Sequence, residues 1–321
     1  MPLRKRLLPH RRILRAPHPA VLRATDIPMQ QQTRAYLFAG GAILLWSTVA
    51  TAFKLALAYM TPVQLLLYAS ITSTLVLAAI VLVQGTWREM KGNLRRLAAG
   101  SMLPGLLNPF LYYLVLFEAY RLLPAQQAQP LNYTWPITLA LLSALLLGQR
   151  LSWRSLVALA LSLVGVLLIS TGGDVLAFRV TSGEGVVLAV GSSIIWALYW
   201  IYTLKDAADK IVRLFLNFVF GTLFVLVYAL LAGQAAPPRV EGLLAAAYVG
   251  FFEMGITFAL WIQALRHSRS TVLVGNLVYL SPFLSLIFIS LVLGERILAG
   301  TVAGLVLIIA GILIQQRAGR R

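Results

Sequence analysis

Polar side chains lie at helical spacing within two long apolar runs, and they are the groups of this sequence best placed to bind a polar ligand. Residues three and four positions apart share one face of a helix, so each set forms a stripe. Amide and hydroxyl groups suit the carboxylate and the amine of a zwitterion, because they add no net buried charge. We expect the stripes to face each other across a cavity, or else to join helices by hydrogen bonds. The first stripe holds Gln126, Gln129, Asn132, Tyr133 and Pro136, and the second holds Gly275, Asn276, Tyr279 and Pro282.

Aromatic residues lie inside several other apolar runs. Such rings are most often found near membrane interfaces, but several of these are far from the ends of their runs. Their faces would attract an ammonium group by about 0.5–2 kcal/mol and would stack on an aromatic side chain. Two interpretations stay open: these residues line a cavity, or they only pack against neighbouring helices. The candidates are Trp46, Tyr112, Trp135, Trp196, Tyr199 and Trp261, with Asn108 as a polar neighbour of Tyr112.

Two ionisable residues, Lys54 and Glu253, lie well inside apolar runs and are candidates for coupling or gating. Lys54 is ~10 Å from the middle of its helix at 1.5 Å per residue, so it either extends to the interface or has a carboxylate-binding or gating role. Glu253 is near the centre of its run, where an unpaired carboxylate is costly. It is a proton carrier, a partner for an amine, a neutral hydrogen-bonded acid, or an acid in a wet cavity without a special task.

The elements that must position these residues are membrane helices. The 321 residues are 60% hydrophobic and 12% charged, whereas soluble domains carry roughly 25% charged residues, so a soluble protein is excluded. About 20 apolar residues cross ~30 Å of hydrocarbon. Ten runs reach that length and predict an all-α integral membrane protein. They are 36–58, 62–84, 97–117, 124–147, 155–172, 184–204, 212–232, 241–263, 270–293 and 298–316.

The distribution of basic residues predicts the orientation of these spans. Short loops rich in Lys and Arg stay in the cytoplasm. With the N-terminus inside, 22 of the 27 basic residues fall in cytoplasmic segments, four fall in outward loops, and Lys54 is within a span. Both termini are therefore predicted to be cytoplasmic. The net charge of +17 would suggest nucleic acid binding in a soluble protein, but here it predicts anchoring to the lipid bilayer, and no nucleic acid partner is expected.

The two ends of the chain are predicted to lie outside the membrane. Residues 1–34 form a basic tail, and residues 317–321 form a short cytoplasmic C-terminus. Residues 1–28 carry seven Lys or Arg and five Pro, a composition suited to contact with anionic headgroups. The alternative is a mis-set start, with translation beginning at Met29. No apolar run of a secretory signal precedes Arg34.

The sequence repeats itself when residue i is set against residue i+146. The repeat units, 35–172 and 183–316, hold five spans each, and an odd number of spans places the copies in opposite orientations. Inverted repeats around a midplane site are typical of secondary transporters. Both repeated prolines are expected to kink their helices, because proline lacks a backbone donor. The less common matches are Tyr133 with Tyr279, Pro136 with Pro282, Gly148 with Gly294 and Arg150 with Arg296.

A GxxxG motif at Gly300 and Gly304, continued by Gly311, lies in the last span. Small residues at this spacing let helix backbones approach closely. Packing within one chain is the favoured interpretation and dimerisation is the alternative. We expect a monomer or a weak dimer.

Several motifs resemble the EamA branch of the drug/metabolite transporter superfamily. The resemblance covers roughly residues 35–316, and the Asn-Tyr-x-Trp-Pro run resembles the aromatic amino acid exporters of that branch. It implies a bacterial inner-membrane exporter with a large central cavity and no cofactor. Glu253 belongs to none of the motifs. The motifs that carry the resemblance are Leu45-Trp46-Ser47-Thr48, Asn132-Tyr133-Thr134-Trp135-Pro136, Gly148-Gln149-Arg150-Leu151 and Gly294-Glu295-Arg296-Ile297.

The sequence therefore predicts a secondary transporter that exports amino acids, aromatic and other neutral ones included, by alternating access. No GxxxxGK[ST] motif occurs, so direct use of ATP is not expected. The alternative is a proton-coupled exporter of cationic drugs or other small metabolites that uses Glu253. An enzyme is disfavoured, because the apolar runs hold no His, no Cys and no paired carboxylates. For the same reason no metal site is predicted.

Overall fold

The chain is helical throughout the part that the structure describes, and no strand occurs there. This computed structural model describes residues 29–147, 152–174, 180–203, 208–269 and 271–318. The predicted tail 1–28, the repeat residues Gly148 and Arg150, and residues 319–321 lie outside these ranges. The helices are α1 (Met29–Leu57), α2 (Pro62–Val83), α3 (Trp87–Ala99), α4 (Met102–Gly105), α5 (Tyr112–Leu122), α6 (Ala125–Asn132), α7 (Trp135–Leu147), α8 (Trp153–Ser170), α9 (Gly183–Thr203), α10 (Lys210–Leu231), α11 (Val240–Tyr248), α12 (Thr257–His267), α13 (Thr271–Asn276), α14 (Ser281–Leu293) and α15 (Ala299–Ala318).

Nine helical segments in the described ranges are long and apolar enough to cross a membrane, which makes this a multi-pass membrane protein. The predicted span 124–147 is not one of them. It is divided into α6, of 8 residues, and α7, of 13 residues, which at 1.5 Å per residue measure ~12 Å and ~20 Å and are each shorter than the ~30 Å hydrocarbon layer. The arrangement of ten spans as two inverted repeats stays a prediction.

Proline explains the division between α6 and α7. Pro136 is the second residue of α7, a position where the missing backbone N–H is not needed. The same ring could not continue the preceding helix, because it cannot donate to the carbonyl of Asn132. Pro282 has the corresponding place, since it is the second residue of α14. The expected kinks are thus interruptions just ahead of each proline.

Irregular backbone occurs at corresponding places in the two halves. The turn Leu277–Leu280 is a 3-10 helix between α13 and α14, and a shift of 146 residues places it opposite the end of α6. Two π-helical segments, Leu106–Leu111 and Val249–Ile256, interrupt the third and eighth spans. Adding the repeat offset of 146 to the first segment gives residues 252–257, a range that overlaps the second segment. Such segments free backbone groups and are tolerated in membranes where they face protein or a cavity.

Two span boundaries differ from the prediction. Helix α1 begins at Met29, so residues 29–34 are helical rather than part of a tail, and Gln32 Oε1 accepts a hydrogen bond from the Arg269 backbone N–H at 2.8 Å. The third span begins at Met102 rather than at residue 97. The preceding basic segment forms the separate helix α3, whose Trp87 packs against the buried cluster of Val81, Ile211, Val212 and Leu216.

The last helices of the two halves, α8 and α15, pack closely through glycine. A Cβ atom added to Gly165 would lie 2.6 Å from the Gly304 carbonyl oxygen, and one added to Gly311 would lie 2.7 Å from the Ala158 oxygen. These distances are below van der Waals contact, so the backbones approach to a degree that only glycine allows. The GxxxG motif therefore packs within the chain.

Candidate functional site

A cavity of about 580 Å³ lies between the first and second halves of the chain. Helices α1, α5, α6 and α7 contribute to its wall from the first half, and α9, α12, α13 and α15 contribute from the second. Its volume suits a small organic molecule. The lining residues are Trp46, Val49, Phe53, Tyr112, Tyr113, Leu116, Tyr120, Gln129, Asn132, Tyr133, Trp135, Leu139, Trp196, Trp200, Glu253, Phe258, Trp261, Leu265, Gly275, Asn276, Val278, Tyr279 and Gln316.

The two ends of the cavity differ in their access to solvent. Phe53 and Tyr120 line one end with exposed fractions of 1% and 2%. Leu265, Gly275 and Gln316 line the other end and are half-buried. The cavity therefore opens at the end where α12 and α15 terminate, which we call the open end. It is closed where α5 ends and α6 begins, which we call the closed end.

Hydrogen bonds join the two halves of the chain at the closed end. The Glu295 carboxylate accepts from the backbone N–H groups of Ala125 at 2.9 Å and Gln126 at 3.2 Å, which begin α6. In return, Gln126 Nε2 donates to the Arg296 carbonyl at 2.9 Å. Gln126 Oε1 accepts from the Leu298 N–H at 3.0 Å and from the hydroxyl of Thr301, in α15, at 3.2 Å. We call Gln126, Glu295 and these partners the closed-end network.

Aromatic rings form much of the cavity wall. The Trp46 ring lies 5.3 Å from that of Trp261, between centroids. The Trp196 ring lies 4.7 Å from that of Tyr112, and Trp135 stacks with Trp200 at 6.4 Å. These separations are typical of stabilising aromatic pairs. All four predicted tryptophans therefore line the cavity with Tyr112.

The first polar stripe lies on the wall where α6 ends. Gln129, Asn132 and Tyr133 all line the cavity. Gln126, predicted in the same stripe, does not line it, because its side chain is bonded within the closed-end network. Asn132 is held in place, because its Oδ1 accepts from the Tyr112 hydroxyl at 3.1 Å and its Nδ2 donates to Ser192 Oγ at 2.8 Å. The break after Asn132 brings these side chains to the middle of the molecule. This is the tertiary position that the helical spacing predicts.

The second polar stripe lies in the interrupted segment between α13 and α14. Asn276 and Tyr279 line the cavity with Gly275. The Tyr279 hydroxyl accepts a hydrogen bond from Gln316 Nε2 at 2.8 Å. Both stripes thus contribute to one cavity, one from each half of the chain.

Glu253 lies on the cavity wall within the π-helical segment Val249–Ile256. Its Oε1 accepts a hydrogen bond from the Tyr113 hydroxyl at 3.2 Å. Its Oε2 is buried and makes no hydrogen bond of normal geometry. One carboxyl oxygen is therefore held by a hydrogen bond of normal geometry, and the Trp46 side chain also faces the carboxyl group.

Lys54 is on the closed-end side and does not line the cavity. Its Nζ donates to the backbone carbonyls of Tyr120 at 2.9 Å and Leu123 at 3.1 Å, at the C-terminus of α5. Those carbonyls have no intrahelical partner at a helix end. Lys54 therefore caps α5, and its predicted gating role stays a prediction.

Two of the residues predicted to bind substrate do not line the cavity. Asn108 is fully buried, and both polar atoms of its side chain lack a hydrogen-bond partner. Its backbone departs from helical angles within the π-helical segment, so the helical spacing that linked it to Tyr112 does not hold there. The Tyr199 hydroxyl accepts from Asn217 Nδ2 at 3.3 Å, and its ring packs 5.4 Å from that of Trp196. Tyr199 supports the wall from behind.

The sequence patterns did not indicate several of the lining residues, and three of them show why. Trp200 is four residues after Trp196 and shares its helical face, a signal that was present in the spacing. Tyr113 reaches Glu253 because the π-helical segment before α5 rotates its side chain, which no periodicity shows. Gln316 is the last residue of its predicted span, where a polar residue is ordinarily read as a helix end.

The described lining residues offer binding groups rather than catalytic ones. They combine aromatic faces, amides and hydroxyls with a single carboxyl group. No group of three or more His, Cys, Asp or Glu that could hold a metal ion occurs among the described residues. The arrangement can bind an uncharged or cationic organic molecule with an apolar part.

Comparison with known families agrees with this geometry. A model of the EamA-like transporter family matches the chain twice, at residues 33–171 and at residues 183–315. A crystal structure superposes with a TM-score of 0.61 at 24% identity, over 90% of this chain and 98% of that one, and so has a similar fold.

Curated relatives with similar length are named as transporters. The chain is 27% identical over 291 residues to the uncharacterized transporter YvbV of Bacillus subtilis, covering 88% of this chain and 91% of that protein. It is 27% identical over 294 residues to the aromatic amino acid exporter YddG of Ancylobacter novellus, covering 90% and 99%. It is 28% identical over 202 residues to the YddG of Escherichia coli, covering 59% and 66%.

Proposed function

Because the chain belongs to the EamA-like transporter family, we propose that it is a secondary transporter that exports amino acids, aromatic and other neutral ones included. The observation that carries the proposal is the aromatic and amide lining of the central cavity. Rings such as Trp196 and Trp261 offer stacking surfaces, and Gln129 and Asn276 offer neutral hydrogen-bonding groups. Relatives named as aromatic amino acid exporters support the same substrate class.

We propose that transport proceeds by alternating access between the two halves. A cavity open at one end and closed at the other is one state of such a cycle. The paired interruptions before Pro136 and Pro282 support a pseudo-two-fold relation, as does the double family match at 33–171 and 183–315. The protein would lie in a bacterial inner membrane with both termini on the cytoplasmic side. The open end, where α15 terminates, would then face the cytoplasm.

Counterflow in proteoliposomes tests the substrate class. Vesicles loaded with one unlabelled amino acid are diluted into buffer with the same amino acid in labelled form, across a panel of aromatic, small neutral, acidic and basic amino acids. Aromatic and other neutral amino acids should accumulate label above the level in protein-free vesicles. Absence of accumulation with the whole panel, from protein that elutes as a single folded species, would contradict the proposal.

Proton-coupled export of cationic drugs or other small metabolites is the second candidate, and the position of Glu253 on the cavity wall favours it. A proton carrier must meet the substrate path, and Glu253 does so. A pH gradient imposed across the vesicle membrane should then drive uptake by the wild-type protein and not by Glu253→Gln. Flux that is equal in both proteins and unaffected by the gradient would rule out a proton-carrying role.

A further inference from the structure

Glu253 is the only charged residue among the described residues that line the cavity. No Lys or Arg shares that wall, and Lys54 is held by backbone carbonyls outside it. Among the described lining residues, the Glu253 carboxyl group is therefore the one charged group that a charged substrate can meet. The cavity is electrostatically asymmetric, and it matches a positive group better than a negative one.

Two buried acceptor atoms on the wall make no hydrogen bond of normal geometry, although the Trp46 side chain also faces the Glu253 carboxyl group. They are Glu253 Oε2 and Gln129 Oε1. A buried acceptor without a donor is unfavourable, and an ammonium group brings three N–H donors. Glu253 Oε1 is already oriented by the Tyr113 hydroxyl at 3.2 Å, so the carboxyl group is fixed in place for such a donor.

Aromatic residues share the cavity wall with the carboxyl group, and the Trp46 side chain faces that group. Phe258 follows Glu253 in the chain and lies 6.0 Å from Trp46, between ring centroids, and Trp46 lies 5.3 Å from Trp261. All three rings line the cavity. Rings of this kind attract a cation at their faces and receive an apolar side chain.

A substrate carboxylate finds weaker partners. The Trp200 Nε1–H is a buried donor without a partner, while Asn132 Nδ2 and Gln316 Nε2 already donate to Ser192 and Tyr279. These are neutral donors, and their hydrogen bonds are weaker than the charge-assisted ones that Glu253 makes with an ammonium group. The amine of a substrate thus has a carboxyl group as its partner, whereas the carboxylate of a substrate has only neutral hydrogen-bond donors.

We infer that Glu253, with Tyr113 and the adjacent aromatic rings, forms a subsite for the ammonium group of the substrate, and that aromatic primary amines without a carboxylate are ligands of the same cavity. The inference rests on the proposed function for the transport path, and it sharpens the substrate class. Recognition depends on the amine and the ring, and the carboxylate is dispensable.

Three ligands that share a phenyl ring test the subsite as inhibitors of L-phenylalanine counterflow, at equal pH on both sides of the membrane. They are L-phenylalanine, 2-phenylethylamine and 3-phenylpropanoate, which carry both groups, the amine alone and the carboxylate alone. The amine should inhibit as well as the amino acid, and 3-phenylpropanoate should need at least about tenfold higher concentration, a factor equal to ~1.4 kcal/mol. Equal or stronger inhibition by 3-phenylpropanoate would overturn the inference.

Glu253→Gln tests the residue itself, with Glu241→Gln as the matched control. Glu241 is exposed at the start of α11 and does not line the cavity. In Glu253→Gln, inhibition by 2-phenylethylamine should weaken by about tenfold or more, whereas the control should behave as wild type. Unchanged inhibition in Glu253→Gln would contradict the subsite.

Direct binding separates this inference from the proposed function. Quenching of the intrinsic tryptophan fluorescence by 2-phenylethylamine reports binding without any transport. In one outcome, the wild-type protein neither transports nor binds any amino acid but binds 2-phenylethylamine, and Glu253→Gln does not bind the amine. The proposed function then fails and the subsite stands. If L-phenylalanine counterflow occurs and the amine neither inhibits nor binds, the subsite fails and the proposed function stands.

Discussion

Lys54 shows how tertiary context decides the role of a single residue. Its distance from the middle of the helix allows snorkelling or substrate binding, and the sequence alone does not separate the two. In the folded chain its ammonium group is within 2.9–3.1 Å of two carbonyls that end α5. The chain reversal after Leu122 creates these acceptors, and they are 66 and 69 residues away in sequence.

Replacement of Lys54 by Met should lower stability without altering substrate affinity. The methionine fills similar space but leaves two carbonyls without their donor, which costs about 1–3 kcal/mol. Thermal unfolding in detergent should occur several degrees lower, while the KM for L-phenylalanine counterflow stays as in wild type. A changed KM with an unchanged melting temperature would instead indicate contact with substrate.

Asp209 provides a pH-dependent element of stability outside the membrane spans. Its carboxylate accepts from the backbone N–H groups of Ile211 at 2.9 Å and Val212 at 3.2 Å, at the start of α10, and from Arg266 Nη2 at 2.6 Å. Burial raises the pKa of Asp209, but the Arg266 hydrogen bond and the two backbone hydrogen bonds outweigh it, so the pKa lies below its ordinary value. A lowered folded-state pKa gives stability that is present above the unfolded-state value and is lost as the pH falls through the folded-state value.

Asp209→Asn should therefore lower the melting temperature at neutral pH, because asparagine keeps the helix cap but loses the ion pair with Arg266. The difference from wild type should shrink as the pH falls below the ordinary range of an aspartate. Glu241→Gln, which removes an exposed carboxylate, serves as the control. A difference that persists unchanged in acid would show that the ion pair is not its source.

Helical spacing predicted residues well only where the backbone is a regular helix. It placed Gln129, Asn132 and Tyr133 on one wall, and all three line the cavity. It misplaced Asn108, because the π-helical segment there changes the angle between successive side chains. Contacts between distant segments, such as Tyr113 with Glu253, have no signature in periodicity.

At the scale of elements, the closed-end network joins the start of α6 to the loop before α15. Glu295 caps α6 and Gln126 binds the segment from Arg296 to Thr301. Since α6 belongs to the first half and α15 to the second, these hydrogen bonds must break if the halves separate at this end. The network thus stabilises the state with the closed end shut.

Cross-linking tests this role, and the absence of cysteine from the chain makes it direct. The double variant Gln126→Cys, Thr301→Cys should lose L-phenylalanine counterflow when a short bifunctional thiol reagent joins the two residues. A reducible reagent should allow the activity to return after reduction. Each single-cysteine variant, treated in the same way, is the control for modification alone.

Retention of full activity in the cross-linked double variant would mean that this end does not open during transport. Loss of activity in a single-cysteine variant would show that modification, rather than the link between the halves, blocks the protein.

Element boundaries could be predicted where composition changes sharply and not where it stays apolar. The start of α2 at Pro62 agrees with the prediction, since Thr61 caps it by accepting from the Gln64 N–H. The division between α6 and α7 was visible in the sequence as Pro136 and as a change from the polar residues of α6, which include three Gln and one Asn, to the apolar residues of α7. Helix α3 was merged with the third span, since its Leu97 and Ala98 continue the apolar run.

For the whole molecule, the sequence indicated two similar halves, and the structure places irregular segments at matching positions in both. The π-helical segment Val249–Ile256 and the interruptions before Pro136 and Pro282 border one cavity, whereas no residue of Leu106–Leu111 lines it. The repeat could be read from identities at an offset of 146 residues, whereas the shape of the cavity could not. Its closed end depends on side chains such as Phe53 and Tyr120 that look like ordinary core residues in the sequence.

The most direct test of the account fills the cavity and measures L-phenylalanine counterflow. Gly275 lines the cavity, and a Cβ atom added there meets no atom within 4 Å, so Gly275→Phe begins its side chain in open space and should fill part of the cavity. Gly40, in α1, is equally unobstructed but does not line the cavity, which makes Gly40→Phe the control. Label should accumulate with wild type and Gly40→Phe and not with Gly275→Phe. Undiminished counterflow in a stably folded Gly275→Phe would contradict the claim that this cavity is the path of an amino acid.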